Sequence, residues 1–225
     1  MEGVPYRNLM GSLMYLAVWT RPDLAMAVSI LSRFSQNPGV KHWEAAKRVV
    51  RYLKGTIDHG ILYKVGEDVP VWGYSDASYG SDPDTKRGRS GYIFMSGGGA
   101  VSWGSKLQEV VALSSTESEY MAMAYAVQEA SYLQTFQKEM GVDQEGVVLL
   151  CDNQSAIKLA KNPIFHKRSK HIAIKYHYIR EKVESGEVEL AFVATRDMAA
   201  DQLTKHVGVG VLNTGKDLMG MGTLE

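Results

Sequence analysis

The sequence predicts an α/β protein in which a mixed five-stranded sheet, flanked by helices, follows a small helical subdomain. Apolar residues recur at three- and four-residue spacing as far as residue 55, which is typical of amphipathic helices. From residue 71 onward, short bulky runs alternate with turn residues, which is typical of strands. Strand and helix patterns then alternate, and a meander followed by such units gives a mixed sheet.

The composition is that of an ordinary globular protein. The 225 residues are 45% hydrophobic, and the 25 basic and 25 acidic residues cancel, which argues against a general polyanion-binding protein. The single cysteine, Cys151, excludes an intramolecular disulfide and fits a reducing compartment. No apolar run approaches the roughly 20 residues of a membrane helix. Met1-Glu2-Gly3 does not begin a signal peptide, and we expect no membrane partner. We also expect the chain to be a piece of a longer protein.

Three helices are predicted before the sheet. The first carries an apolar stripe from Tyr6 to Leu16, and Pro22 suits the first turn of the second. The third begins near Val40, and Gly55 is placed to cap its end. This part of the sequence holds no carboxylate pair, metal-ligand cluster or glycine-rich phosphate loop. We therefore interpret its stripes as core and its basic residues as a solvated face.

The sheet is predicted from short apolar runs separated by turns. Its first three strands form an antiparallel meander, and a long helix follows from near Ser114, whose hydroxyl is a good N-cap, to Gly141. The all-apolar fourth strand is expected to be buried on both faces. The predicted strands are residues 71–76, 90–95, 100–105, 147–151 and 188–193. Three later helices are also predicted: one that ends near residue 162, one in the 170s and one from 198 to 204.

Acidic residues end two of these strands. Asp76 ends the first and Asp152 follows the fourth, and the carboxyl edge of an open α/β sheet is where ligands bind. At about 100° per residue, Glu119 projects close to the apolar stripe through Ala126, whereas Glu117 points nearly the opposite way. A glutamate on a buried stripe is costly unless something pairs with it, so Glu119 is the site candidate. Glu117 is interpreted as a surface or first-turn charge, which is favourable beside the helix dipole.

Two aspartates compete in the last predicted helix. Asp197 stands at the N-cap position, which is a structural role. Asp201 lies one turn further in and has no capping use, but the periodicity does not show that it faces Asp76. From the residues alone, a site carboxylate and a solvated helical aspartate are both open for Asp201.

Carboxylates gathered at one sheet edge need a counter-charge. Two unit charges at about 4 Å cost on the order of 4 kcal/mol at an effective dielectric of about 20. Mg²⁺ prefers oxygen ligands, and two such ions roughly 3.5–4 Å apart suit in-line phosphodiester displacement. Zinc is disfavoured because the six histidines form no compact ligand set with Cys151. Cys151 lies in a predicted buried strand, which also argues against a nucleophilic thiol.

The sequence contains Y-S-D-A-S-Y at 74–79, S-G-Y-I-F at 90–94, V-S-W-G-S-K at 101–106, A-L-S-S-T-E-S-E-Y-M-A at 112–122, C-D-N-Q-S-A at 151–156 and K-H-I-A-I-K-Y-H-Y-I-R-E at 170–181. This series closely resembles the ribonuclease H domain of copia-type retrotransposon Pol polyproteins. The earlier helices contain Y-R-N-L-M-G-S-L-M-Y-L at 6–16, T-R-P-D-L at 20–24 and R-Y-L-K-G-T at 51–56, and look like the C-terminal thumb and connection part of that family's reverse transcriptase. The resemblance implies a reverse transcriptase remnant at 1–65 and a ribonuclease H-like domain at 66–206, with the polymerase motif upstream of Met1.

The resemblance implies that Asp76, Glu119, Asp152 and Asp201 are catalytic residues and metal ligands. Asp76 would bridge two Mg²⁺ ions, with Mn²⁺ as a substitute, while Glu119 and Asp152 complete one site and Asp201 the other. Water then attacks the RNA strand of an RNA/DNA hybrid and leaves a 3′-hydroxyl and a 5′-phosphate. The family also implies upstream reverse transcriptase domains as partners and an intracellular setting, in a cytoplasmic virus-like particle, and leaves the oligomeric state open.

The most basic stretch of the chain, H-K-R-S-K-H, spans residues 166–171. Lysine and arginine contacts to phosphate fix register without reading sequence, which suits an enzyme that acts on any hybrid. A solvated helix end is the alternative for this stretch. Small polar groups are expected at the 2′-hydroxyl, which distinguishes RNA from DNA. The predicted nucleic-acid-binding residues are Ser78, Asn153, Lys167, Arg168, Lys170, His171 and Arg196.

Three features depart from the family pattern. The loop at 194–197 lacks the histidine that assists turnover in many ribonucleases H, so we expect slower turnover or a phosphate contact by Arg196. Gly104 stands where the motif usually has lysine, which predicts a weaker substrate contact. After Lys205 the sequence no longer follows the usual ending, so we expect a disordered tail at 207–225.

The predicted function is metal-dependent hydrolysis of the RNA strand of RNA/DNA hybrids during reverse transcription of a retrotransposon. A non-catalytic or domesticated fragment that binds nucleic acid or a polymerase partner is the alternative, although the presence of all four acids argues against it. A related nuclease or integrase-like transferase on the same fold is disfavoured because the sequence lacks zinc-binding histidine-cysteine pairs.

Overall fold

The computed structural model describes residues 1, 3–64, 70–161 and 173–223, with only the backbone described at 173–176. The predicted domain boundary at residue 66 lies outside these ranges. Within them, no helix is both long and apolar enough to cross a membrane. The helices are α1 (Tyr6–Trp19), α2 (Ala25–Ser32), α3 (Val40–Gly55), α4 (Ser115–Glu139), α5 (Gln154–Lys161), α6 (Ala173–Glu184) and α7 (Val209–Leu218), and the strands are β1 (His59–Ile61), β2 (Trp72–Ser78), β3 (Arg89–Ser96), β4 (Gly99–Leu107), β5 (Val147–Cys151), β6 (Val188–Phe192) and β7 (Met221–Thr223).

Five strands form one mixed sheet in the order β4-β3-β2-β5-β6. The pairs β2–β3 and β3–β4 are antiparallel, while β2–β5 and β5–β6 are parallel. This arrangement confirms the predicted meander and the predicted mixed five-stranded sheet. Because β2 and β5 are parallel neighbours, residues at their carboxyl ends come to the same edge of the sheet.

The sheet buries both of its faces. On one face, α4 contributes the small and unbranched residues Met123, Ala126 and Ala130 to a core that includes Phe94 and Leu149. The other face is covered by a 3₁₀ turn (Ala199–Leu203) and by the chain that follows α7. This second layer matters for function because the turn carries Asp201.

The helical subdomain has its own core and is fixed to the sheet. Within it, Tyr6 is buried and donates its hydroxyl hydrogen bond to the Leu31 carbonyl at 2.8 Å. Across to the sheet, the Trp103 indole N–H donates to the α1 carbonyl of Ala17 at 2.6 Å. The predicted helices α1–α3 are thereby confirmed, except that Pro22–Leu24 forms a 3₁₀ turn immediately before α2.

The tail differs from the predicted disorder. It forms α7 and then β7. Strand β7 pairs antiparallel with β1, and β1 is a strand that the sequence analysis missed. Met219 and Met221 are buried in the core of the second face. Gly220 has φ of +68°, and a Cβ there would lie 2.1 Å from the Gly98 carbonyl oxygen, so only glycine allows this close approach. The tail is ordered because its apolar side chains cover the sheet.

Met219→Ala tests the structural role of the tail. We expect it to lower the free energy of unfolding by about 2–5 kcal/mol, because it removes a fully buried side chain and leaves a cavity. Urea denaturation of the whole chain measures this change. Val209→Ala, at an exposed position of α7, is the matched control and should change stability by less than about 0.5 kcal/mol. Equal, small effects of both substitutions would contradict a packed tail.

Candidate functional site

Asp76 and Asp152 meet at the edge predicted from the strand pattern. Asp76 lies within β2 and is 1% exposed, and Asp152 directly follows β5, the parallel neighbour of β2. The Thr195 hydroxyl donates to Asp152 Oδ2 at 2.8 Å, and the Thr204 hydroxyl donates to Asp76 Oδ2. Both aspartates are therefore held by threonines of the segment that follows β6.

Glu119 reaches this edge from the first turns of α4. The Ser114 hydroxyl accepts the Glu117 N–H at 3.1 Å, as expected of an N-cap. The buried Gln108 amide donates to the Ser118 carbonyl at 3.0 Å, which fixes the helix start to the end of β4. Glu119 is 7% exposed, and its Oε2 atom has no hydrogen-bond partner among the described residues.

Glu117 is the first-turn charge that was predicted beside the helix dipole, but it does not lie on the surface. It is 8% exposed, and its Oε2 accepts the backbone N–H of Leu113 at 2.9 Å. The periodicity describes the direction of a side chain from its own helix, but here the loop before α4 folds back over the first turn and covers it. Glu117 is thus a second capping group for the start of α4.

Asp201 comes from a 3₁₀ turn rather than from the regular helix that was predicted. Gly91, the residue opposite Asp76 in β3, makes room for this turn. A Cβ on Gly91 would lie 2.9 Å from Leu203 Cβ and 2.7 Å from Thr204 Cγ2. The turn therefore sits directly over the sheet beside Asp76. Asp201 is 9% exposed and belongs to the carboxylate cluster, so the solvated alternative is wrong.

Asp197 does not cap a helix as predicted. It lies in a separate 3₁₀ turn (Thr195–Asp197), and Met198 occupies the N-cap position of the turn that carries Asp201. Asp197 Oδ2 instead accepts from Arg196 Nε at 3.2 Å at an exposed position.

Lys205 is a member of the cluster that sequence reasoning missed. Its ammonium nitrogen lies 2.7 Å from Asp201 Oδ1 and 3.9 Å from Asp76 Oδ1. Its position four residues after Asp201 was a usable signal, since residues at this spacing share one side of a helical turn. Thr195 and Thr204 were missed as well, because no periodic pattern marks a hydroxyl that supports a carboxylate.

A chain of hydrogen bonds connects the helical subdomain to the Asp201 turn. The buried guanidinium of Arg89 donates to the α2 hydroxyl of Ser29 at 2.8 Å and to the Ser105 hydroxyl at 3.3 Å. The Ser105 hydroxyl in turn donates to the Leu203 carbonyl at 2.6 Å. The subdomain therefore helps to hold the backbone that carries Asp201.

The cluster raises the pKa of its carboxyls. Burial raises the pKa of Glu119 to about 9, and the neighbouring Asp76 and Asp152 add to this rise. Burial also raises the pKa of Asp76 to about 6, although Lys205 and the Thr204 hydroxyl oppose the rise. The Asp201 pKa is raised by burial and lowered by Lys205. The site therefore holds more negative charge than one ammonium can balance.

The donor set fits a hard divalent cation. Ligand atoms of Glu119, Cys151 and Asp152 lie within 4.8 Å of one another, and Glu119 Oε2 offers a buried oxygen without a partner. The Cys151 thiol is fully buried, and burial raises its pKa to about 12, so it stays neutral. Carboxylate oxygens without thiolate or histidine ligands suit Mg²⁺ or Mn²⁺ rather than Zn²⁺.

The predicted nucleic-acid-binding residues are only partly within the described structure. Lys167, Arg168, Lys170 and His171 lie outside it. Ser78 is buried and bonds internally with Ser81 at 2.7 Å, and Asn153 Oδ1 accepts the Ala156 N–H at 3.0 Å at the start of α5. The Arg196 side chain is 86% exposed beside Asp197.

The neighbours of residue 104 in the structure explain why glycine stands there. A Cβ at this position would lie 2.8 Å from a Tyr92 ring carbon and 2.9 Å from the Tyr125 hydroxyl. These two rings pack edge to face at 4.8 Å between centroids. A lysine at residue 104 would have to displace this aromatic pair, so glycine and the pair belong together in this chain.

The sequence is similar to retrotransposon polyproteins. It is 45% identical over 221 residues to the "Retrovirus-related Pol polyprotein from transposon TNT 1-94" of Nicotiana tabacum, covering 98% of this chain and 17% of the polyprotein. That match extends into residues 207–225, so the prediction that the tail departs from the family is wrong. The "Secreted RxLR effector protein 161" of Plasmopara viticola is 50% identical over 133 residues, which cover 59% of this chain and 94% of the effector. No protein-family model matches the chain.

A solved viral structure shares the fold at low sequence identity. A foamy viral protease-reverse transcriptase in complex with double-stranded DNA covers 84% of this chain and 32% of its own, with a TM-score of 0.54 and 14% identity. RNase H1 from Halobacterium salinarum NRC-1 covers 60% of this chain and 93% of its own, with a TM-score of 0.45 and 20% identity.

Glu119→Gln should stabilise the metal-free protein at alkaline pH. The pKa of Glu119 lies at about 9 in the folded state and near 4.5 when unfolded, so this carboxyl costs nothing below pH 4.5 and destabilises the fold increasingly as the pH rises toward 9. We expect a gain of roughly 2–4 kcal/mol at about pH 8 that disappears at about pH 4.5. Thermal unfolding with a chelator present measures it.

Glu117→Gln is the matched control for this experiment. A glutamine at residue 117 can still accept the Leu113 N–H through its amide oxygen, so a pH-dependent gain in stability is not expected. An equal gain in both variants, or a gain from Glu119→Gln that does not vary with pH, would contradict the described electrostatics.

Proposed function

Because the chain belongs to the copia-type retrotransposon Pol polyprotein family, we propose that it is a metal-dependent endonuclease that hydrolyses the RNA strand of RNA/DNA hybrids during reverse transcription. The observation that carries the proposal is Glu119 Oε2, which is buried without a hydrogen-bond partner among the described residues and faces the other carboxylates. Keeping such a carboxylate costs stability, and a bound cation offsets the cost.

Asp76, Glu119, Asp152 and Asp201 would hold two divalent ions. Mg²⁺ or Mn²⁺ bound by these residues would lower the pKa of the attacking water and would stabilise charge on the leaving oxygen. The residues of this chain orient that chemistry. Thr195 and Thr204 fix the carboxylates of Asp152 and Asp76, and the sheet and α4 keep bulk water from the buried carboxyl of Glu119.

The substrate is proposed to be bound through its backbone. The net charge of the chain is zero, so phosphate contacts must come from local basic groups rather than from the whole surface. Exposed Arg196, one residue from the Thr195 that holds Asp152, is proposed to contact a phosphate near the scissile bond. The basic stretch at 166–171 is proposed to extend this contact along the hybrid.

Upstream reverse transcriptase domains are the proposed partners. The chain spans 17% of the tobacco polyprotein, and its helical subdomain is attached to the Asp201 turn through Arg89 and Ser105. Such an attachment would allow a preceding polymerase domain to be held in a constant position relative to the nuclease. A cytoplasmic virus-like particle is the proposed setting.

A second candidate function is binding without cleavage. The Plasmopara relative, of which 94% is matched, carries the name of a secreted effector and not of a polyprotein. A segment of this kind therefore occurs in a much shorter protein. The presence of all four acidic residues in this chain favours cleavage, because a pure binding protein gains nothing from the cost of burying Glu119.

Asp76→Asn tests the proposed function. We expect it to reduce Mg²⁺-dependent cleavage of a labelled RNA/DNA hybrid by at least about a thousandfold, because it removes a charge that the cation requires. Asparagine can still accept the Thr204 hydrogen bond, so circular dichroism should show an unchanged fold. Glu117→Gln, which alters a capping residue outside the cluster, should retain activity.

The outcomes separate the candidates. The proposal is supported if the wild-type chain and Glu117→Gln cleave the hybrid but not double-stranded DNA, and Asp76→Asn cleaves neither. Hybrid binding by a folded chain that does not cleave supports the second candidate. Substantial cleavage by folded Asp76→Asn would refute the assigned residues.

A further inference from the structure

The four carboxylates fall into two unequal halves. Glu119 and Asp152, with the neutral Cys151 thiol, form one half, in which ligand atoms lie within 4.8 Å of one another. Asp76 and Asp201 form the other, and there the Lys205 ammonium lies 2.7 Å from Asp201 Oδ1 and 3.9 Å from Asp76 Oδ1. The Asp76–Asp201 half thus holds a cation from the chain itself, the Lys205 ammonium, whereas the Glu119–Asp152 half has no such cation among the described residues.

The backbone fixes Lys205 in this position. The Lys205 N–H donates to the Asp201 carbonyl at 3.1 Å, and the Thr204 N–H donates to the same carbonyl at 3.1 Å. The Thr204 side chain points to Asp76, so two consecutive residues of one turn serve the two aspartates. The Lys205 side chain is 40% exposed, so a substrate phosphate can approach it from solvent.

We propose that Lys205 takes the place of a second metal ion, so that the protein binds one divalent cation, between Glu119, Asp152 and Asp76, and uses the Lys205 ammonium at the Asp76–Asp201 half. The inference rests on the proposed metal-dependent cleavage and changes its metal requirement. A divalent ion shared by Asp76 and Asp201 would have to sit against an ammonium that already contacts both carboxylates, and like charges at such distances repel strongly.

The ammonium suits the chemistry at that half. Hydrolysis forms a bond from the water oxygen to phosphorus and breaks the bond from phosphorus to the 3′-oxygen, on which negative charge develops. A fixed positive group beside the phosphate stabilises that charge and needs no proton transfer of its own. Lysine is a compact point charge with three rotatable donors, so it can contact Asp201 and a phosphate oxygen together. It also supplies a cationic group in a chain whose 194–197 loop has no histidine.

The test counts bound metal directly. Full-length chain is titrated with Mn²⁺ alone, and bound ion is measured by equilibrium dialysis and by the loss of the free-ion electron paramagnetic resonance signal. The wild-type chain should bind about one ion, whereas Lys205→Met should bind about two, because the second carboxylate pair loses its internal cation. Lys205→Arg keeps the charge and should bind about one ion.

Lys182→Met is the matched control. Lys182 pairs with Glu187 at 2.6 Å at the end of α6, so this variant removes an ammonium away from the cluster and should bind one ion. Circular dichroism confirms that each variant is folded, which is expected for Lys205→Met because the side chain is partly exposed.

Each outcome decides the inference. Two ions on the wild-type chain, an unchanged count in Lys205→Met, or an increase in Lys182→Met as well would overturn it. Cleavage is recorded in parallel, and the wild-type rate should rise with the first power of Mg²⁺ concentration while that of Lys205→Met rises more steeply. If no variant cleaves but Lys205→Met binds the extra ion, the proposed nuclease function fails while the cation assignment stands.

Discussion

Repulsion among carboxylates at one edge of the sheet is the constraint on which the site depends. Asp76 and Glu119 are almost completely buried, which raises the pKa of both, and the neighbouring Asp76 and Asp152 charges raise the pKa of Glu119 further. Lys205 offsets this repulsion at Asp76 and Asp201 but leaves Glu119 Oε2 without a hydrogen-bond partner among the described residues. The fold therefore carries an electrostatic cost that a divalent cation can relieve, which supports the proposed metal-dependent function.

The rest of the structure brings these charges together and prevents them from separating. Gly91 lets the Asp201 turn approach β3, and Gln108 fixes the start of α4 so that Glu119 cannot move away. Arg89 links the helical subdomain to the same turn through Ser105. The parts before and after the sheet, including β1 and the ordered tail, thus contribute to the rigidity of the site as well as to the core.

Sequence patterns predicted the sheet well and the supporting contacts poorly. Periodicity placed Asp76 and Asp152 at strand ends and separated Glu119 from Glu117, because side-chain direction follows from regular geometry. It could not decide on Asp201, because this residue lies in a 3₁₀ turn whose position is set by the contact with Gly91. It also did not show that the preceding loop buries Glu117, and it missed the tail, whose order comes from pairing with β1 over a sequence separation that no local pattern reveals.

The most direct test of the central claim is the effect of Mg²⁺ on thermal stability near pH 8. If the carboxylates form one cation site, saturating Mg²⁺ should raise the melting temperature of the wild-type chain by at least about 4 °C. The same addition should have little effect on Glu119→Gln, in which the buried charge is absent. No shift in the wild-type chain, or an equal shift in both proteins, would contradict the account.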